Sequence, residues 1–128
     1  MNTSDLFHDI LCMANNPSNH DGFIIIGVDE KDYSIYDVTN DDNRKKTQDI
    51  VNILRDKEFA GGIRPIAFVQ PLSLDQKEID VIVIQSDRNV PYFLLKPYKD
   101  IYAYSIYTRV IDTNTPKNKC ADINYIEK

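Results

Sequence analysis

The sequence predicts an α/β (α+β) sandwich, a mixed β-sheet with helices packed against it, in the order α-β-β-α-β-β-(β)-β-α. Three observations predict it. Apolar residues recur at helical spacing in two separate segments, residues 6–14 and 44–57. Short runs rich in Ile, Val and Phe, bounded by polar turns, read as strands. A chain of 128 residues, 42% hydrophobic and 27% charged, has the size and composition of one soluble domain with one core.

Leu6, Ile10, Leu11 and Ala14 lie on one helical face, with Ser4 or Asp5 as N-cap. Pro17 ends this helix, because the residue before a proline avoids the helical region. Residues 22–28 lack polar alternation and read as a strand buried on both faces. Glu30-Lys31-Asp32 would connect it, hairpin fashion, to a second strand over residues 33–38. Asn40 to Asn43 form a polar turn that supplies N-cap oxygens. A helix over residues 44–57 follows, with Thr47, Ile50, Val51 and Leu54 inward, and Gly61-Gly62 stops it.

Residues 65–72 alternate as a strand, Asp75-Gln76-Lys77 turn the chain, and residues 79–84 pair back as a buried strand. Residues 86–100 hold Pro91 and Pro97 and read as loop, with a short extended piece over residues 92–95. A last strand is expected over residues 102–110, with Tyr102, Tyr104 and Ile106 on one face. Asp122 would cap a C-terminal helix that begins at Ile123.

Residues 1–128 read as a single domain with no linker, repeat or low-complexity segment. A net charge of −5 argues against a strongly basic nucleic-acid binder and against attachment to anionic membranes. The longest apolar run, residues 23–26, is four residues, too short for a bilayer-spanning helix. The N-terminus lacks the basic start and apolar core of a signal peptide. Two cysteines, Cys12 and Cys120, make no disulfide framework, and Cys12 among apolar neighbours reads as a core side chain. These features point to a reduced, cytoplasmic protein.

Residues 11–30, LCMANNPSNHDGFIIIGVDE, place a helix end at Ala14-Asn15, a glycine at 22, an apolar strand and then Gly27-Val28-Asp29-Glu30. This resembles the Schlafen-type AlbA domain, whose signature helix ends in A-[FN]-A-N and leads into an apolar strand closed by G-V-D-[DE]. A later family feature, an apolar strand followed by a proline and an aromatic strand ending in Y-x-R, matches residues 79–84, Pro91-Tyr92 and Tyr107-Thr108-Arg109. The resemblance covers most of the chain. It implies a DNA- or RNA-binding domain of a bacterial regulator-like protein, here a fragment truncated at both ends. In the Schlafen nucleases the family pattern includes two upstream glutamates and an aspartate after the buried strand. Only Asp29 has a counterpart here.

Asp29 and Glu30, at a strand exit, are either a metal-ligating carboxylate pair or a plain hairpin turn. Metal-dependent phosphoryl chemistry needs several carboxylates, so Asp29 alone assigns no catalytic or metal site. Arg109 with Thr108, Thr113, Asn114 and Thr115 offers a guanidinium fork and small polar groups suited to phosphate and sugar. Alternatively, Arg109 pairs with Asp112 in a structural loop. Arg64, after Gly61-Gly62, is a further phosphate-reaching cation, although the segment is no Walker A loop and offers no ATP site. Arg44-Lys45-Lys46 at a helix start oppose the macrodipole unless Asp41-Asp42 neutralise them. Tyr98, Tyr102, Tyr104 and Tyr107 suit either base stacking or a subunit interface. His8 and His20 form no zinc pattern with the cysteines, and no Cys-His or Ser-His-Asp set is legible.

Three readings follow. The first is a non-catalytic DNA- or RNA-binding module without cofactor, acting through Arg64, Arg109, Thr113 and Asn114, as a monomer or a dimer. The second is a metal-dependent RNA endonuclease completed by upstream carboxylates. The third is a protein-interaction domain that forms a homodimer.

Overall fold

Helix α1 (Thr3–Ala14) forms because Leu6, Phe7, Ile10, Leu11 and Ala14 make one continuous apolar face, all buried. Ser4 and Asp5 lie inside its first turn rather than at its N-cap. The computed structural model describes residues 3–16, 20–29, 31–86, 91–110 and 113–119. The N-cap residue, Pro17, Glu30 and the expected C-terminal helix lie outside them.

Three strands make the main sheet: β1 (Gly22–Ile26), β2 (Ala67–Leu74) and β3 (Lys77–Ile84), in the order β1-β3-β2. The expectation was a mixed sheet, and every pairing in this one is antiparallel. Helix α2 (Thr47–Arg55) and α1 both pack on the face that carries Ile24, Ile26, Val69, Ile82 and Ile84. Two helices on an antiparallel three-stranded sheet make an α+β fold. Because the helices occupy one face only, β1 is not buried on both sides. Phe23 and Ile25 are 55% and 56% exposed. Pro71 sits in β2, the edge strand opposite β1, where a missing N–H costs no ladder bond.

The β2–β3 hairpin turns at Asp75 and Gln76, with φ of +50° and +63°. These are the left-handed values of a primed turn, whose twist matches that of the flanking strands. No second strand follows β1. Residues 31–38 keep only one bridge, Val28 with Ile35, and Tyr33 turns at φ +58°. Beside the bridge, Tyr36 N donates to the Gly27 carbonyl at 2.6 Å and Asp29 N to the Ser34 carbonyl at 2.9 Å, and aspartates bind the backbone around the turn. Asp29 Oδ1 accepts from Lys31 N at 2.7 Å, Asp32 Oδ1 from Ser34 N at 3.0 Å, and Asp37 Oδ1 from Thr39 N at 3.1 Å. Each gives the backbone a local partner that competes with pairing.

Helix α2 is shorter than residues 44–57. Arg44 is drawn away to the sheet, and the chain becomes helical at Thr47, where Lys46 N donates to Asp49 Oδ2 at 2.8 Å. Ile50 and Leu54 are buried, and Thr47 Oγ1 accepts from Val69 N at 3.0 Å, docking the helix start on β2. A 3-10 turn, Ala60–Gly62, follows, with Gly61 and Gly62 both at φ +70°.

The expected strand over residues 102–110 is not continuous. Tyr104 turns at φ +58°, and only β4 (Arg109–Val110) pairs, with β5 (Thr113–Asn114). The alternation holds at Tyr102 and Tyr104 and breaks at Tyr107 and Thr108, which are consecutive and both buried. Tyr102 and Tyr104 are exposed, while Tyr107 is fully buried.

Candidate functional site

Asn15, the first residue past α1, organises the region that carries the Y-x-R segment. It is buried, and its Nδ2 donates to the carbonyls of Tyr92 and Tyr107, both at 2.8 Å. Its Oδ1 accepts from Tyr92 N at 2.6 Å. Thr108 Oγ1 returns a bond to the Asn15 carbonyl at 2.6 Å. One amide thus satisfies three buried backbone groups of two distant segments, which apolar or charged side chains cannot do. Sequence reasoning singled out Asn15 only as a motif letter. Its role needed the contacts 77 and 92 residues away.

Beyond Thr108, Arg109 is half-buried and its Nη1 donates to Asn114 Oδ1 at 2.9 Å. Asn114 Nδ2 in turn donates to Asp9 Oδ1 at 3.0 Å. Arg109 and Asn114 are therefore brought together, but into a chain that anchors the β4–β5 pair to α1. Burial raises the Asp9 carboxyl above its ordinary value, partly offset by His8. The alternative partner, Asp112, lies outside the described residues, and so does the side chain of Thr113.

His8 belongs to the same anchor. Its Nε2 lies 2.7 Å from the Thr115 carbonyl and 3.5 Å from Cys12 Sγ. The fold assembles a Cys-His contact that the sequence did not reveal, yet it is no catalytic dyad. A nitrogen facing a carbonyl must carry the proton, so it cannot accept one from the thiol. Cys12 is fully buried, and desolvation pushes its thiol up to about 12.

Asp29 is spent in its own loop. Besides the Lys31 N–H, its carboxylate accepts from the Tyr36 hydroxyl at 2.7 Å, and that bond holds it below its ordinary value. Among the described residues no group of three or more His, Cys, Asp or Glu is placed to hold a metal ion. Arg44 is committed as well. Its Nε and Nη2 clamp the buried Asp80 carboxylate at 2.9 and 2.8 Å, and Glu78 lies 3.0 Å from Nη2. Lys45 and Lys46, with Thr47, Val69 and Pro71, are left to line a small open cavity beside it.

Arg64 stands apart from these networks. It is exposed and, among the described residues, has no hydrogen-bond or ion-pair partner. It lines an open groove of about 340 Å³ with Lys57, Glu58, Phe59, Gly62 and Leu95. Gly62 forms part of one wall, and a Cβ there would meet nothing within 4 Å, so its backbone lies open to the groove. Lys57 Nζ sits 4.2 Å over the Tyr98 ring, and Lys99 approaches the same ring at 5.5 Å. The 57–62 segment is stitched to the next by Ala60 N to Phe93 O at 2.9 Å and Leu95 N to Glu58 O at 2.8 Å. Tyr104 N then bonds Leu94 O at 2.8 Å, which brings the exposed Tyr104 ring 6.3 Å from Phe93. Lys57 and Arg64 thus line the groove together, and the half-buried Tyr98 and Phe93 and the exposed Tyr104 belong to segments in contact with its walls.

A family model described as Schlafen, AlbA_2 matches residues 1–118. The chain belongs to the Schlafen AlbA_2 family. No curated protein and no solved structure matches it. The family match spans α1, the sheet and both candidate surfaces, and it fits a nucleic-acid-related domain. Within this AlbA_2 domain the family segments meet physically. The helix end at Asn15 holds the Y-x-R segment through the Tyr107 carbonyl.

Proposed function

We propose that this AlbA_2 domain is the nucleic-acid-contacting part of a bacterial, cytoplasmic regulator-type protein, non-catalytic as it stands, and that it grips single-stranded RNA or DNA in the Arg64 groove. The observation that carries the reading is Arg64, without a partner among the described residues, beside Lys57 and the bare backbone of Gly62, with the half-buried Tyr98 ring under Lys57 and the exposed Tyr104 on a segment bonded to the groove wall. Phosphates need free guanidinium or ammonium donors, and unpaired bases need accessible ring faces. A chain of net charge −5 that keeps such a cluster has a local surface for phosphate despite its overall sign. Arg109 and Asn114 take a supporting part, because their polar groups already bond one another.

The test is fluorescence anisotropy against single-stranded and duplex RNA and DNA at about 50 and about 200 mM salt. Single strands should bind in a salt-sensitive way. Arg64→Ala should weaken binding about tenfold and reduce the salt slope by about one. Arg109→Ala should change affinity by no more than about twofold. Failure to bind at low salt, or wild-type affinity in Arg64→Ala, refutes the reading.

A further inference from the structure

The sheet face turned away from the helices is apolar, covered at Ile79 by Gly27 and Val38 and exposed beyond them. Register places Phe23, Val83 and Phe68 side by side across the three strands, and Ile25, Val81 and Gln70 in the next row. Phe23 and Ile25 are more than half exposed, and Leu72, on the same face of β2, is 43% exposed. None of these seven positions carries a charge. Among the described residues, nothing covers this part of the sheet.

From the geometry we infer that a second copy of this chain covers the face, sheet against sheet, in a two-fold dimer. Three observations select this occupant. The face is apolar and carries no charge at these positions, so one patch can serve both subunits of an isologous contact. Two chains of net charge −5 repel, and this uncharged surface lets them meet without opposing like charges. Covering it removes about 400–500 Å² per copy, taking roughly 100 Å² for each of the half-exposed Phe23, Ile25, Leu72 and Leu74 and little more for the partly buried Phe68, Val81 and Val83, which is over half of the ~800 Å² per partner of a standard interface. Two such sheets stack about 10 Å apart with interdigitated side chains, as in a β-sandwich. The tyrosines around Tyr104 take no part in this interface.

Sedimentation velocity and light scattering on the full chain, from about 1 to about 100 μM, test it. The mass should rise with concentration to twice the 14.8 kDa of one chain. Phe23→Glu should raise the dimer dissociation constant at least about 100-fold, and Ile25→Ser about tenfold. Both side chains are already half exposed, so the urea midpoint extrapolated to the monomer should stay put. Tyr104→Ser should leave the dimer intact. A single-chain mass at the highest concentration overturns the inference and leaves the face to a different partner. A dimer that survives Phe23→Glu, or dissociates in Tyr104→Ser, overturns it as well.

Discussion

Replacing Asn15 by alanine removes the amide that joins α1 to the Tyr92 and Tyr107 segments. Three bonds of 2.6–2.8 Å disappear together. Each is worth about 1 kcal/mol net, but the three backbone groups left behind are buried, and stranding such a group costs about 1–3 kcal/mol. Water entering the vacated volume restores part of this, so the expected loss is about 3–5 kcal/mol. That is a large share of the ~5–15 kcal/mol that stabilises a domain, and it lowers Tm by roughly 10–20 °C. Asn15→Asp keeps the acceptor for Tyr92 N but replaces the Nδ2 donor with one oxygen that faces both carbonyls, so it should lose at least as much. Gln48→Ala, which removes only a surface bond to Asn52, should stay within about 0.5 kcal/mol. Urea denaturation followed by far-UV circular dichroism measures all three. A loss below about 1 kcal/mol in Asn15→Ala at unchanged m-value would refute the idea that this amide holds the two segments.

Gly27→Ala should cost about 2–4 kcal/mol. Gly27 has φ +111°, and a Cβ there would stand 2.9 Å from Ile79 Cγ2 and 3.0 Å from the Tyr36 carbonyl. Gly62→Ala, at φ +70° in open space, should cost only about 1–2 kcal/mol, and equal urea midpoints for the two variants would contradict this. Stability should also fall on acidification. The Tyr36 hydroxyl lowers Asp29, the Thr39 hydroxyl lowers Asp37, Arg44 lowers Glu78, and Lys117 lowers Asp100. A carboxylate lowered in the fold contributes stability that is fully present above its ordinary value, 3.8 for Asp or 4.5 for Glu, and is lost as pH falls through the folded value. Asp9, raised by burial, runs the other way and softens the slope. Urea midpoints between about pH 7 and pH 2 should drop mainly below about pH 4, and Asp37→Asn should flatten that drop. An unchanged profile in Asp37→Asn would remove Asp37 from the account.

Periodicity by itself determined the class of this protein and its central framework. Leu6 to Ala14, Ile50 with Leu54, and the β2–β3 hairpin are local patterns, and local patterns survive whatever packs around them. The resemblance read from residues 11–30 and from Tyr107-Thr108-Arg109 likewise led to the family that the match over residues 1–118 confirms. What failed were strands read from composition alone. Residues 33–38 hold strand-forming side chains, but Tyr33 turns at φ +58° and Asp32 takes the Ser34 N–H, so pairing shrinks to the Val28–Ile35 bridge and its flanking bonds. Residues 102–110 hold more, but a left-handed turn at Tyr104 divides them. Whether a cation is free was legible only in three dimensions. Arg44, Arg64 and Arg109 look alike in the sequence. The fold clamps Arg44 onto Asp80, ties Arg109 to Asn114 and leaves Arg64 open to solvent. An arginine's availability depends on which carboxylates and amides the chain brings within about 3 Å, and those partners lie on other strands and helices.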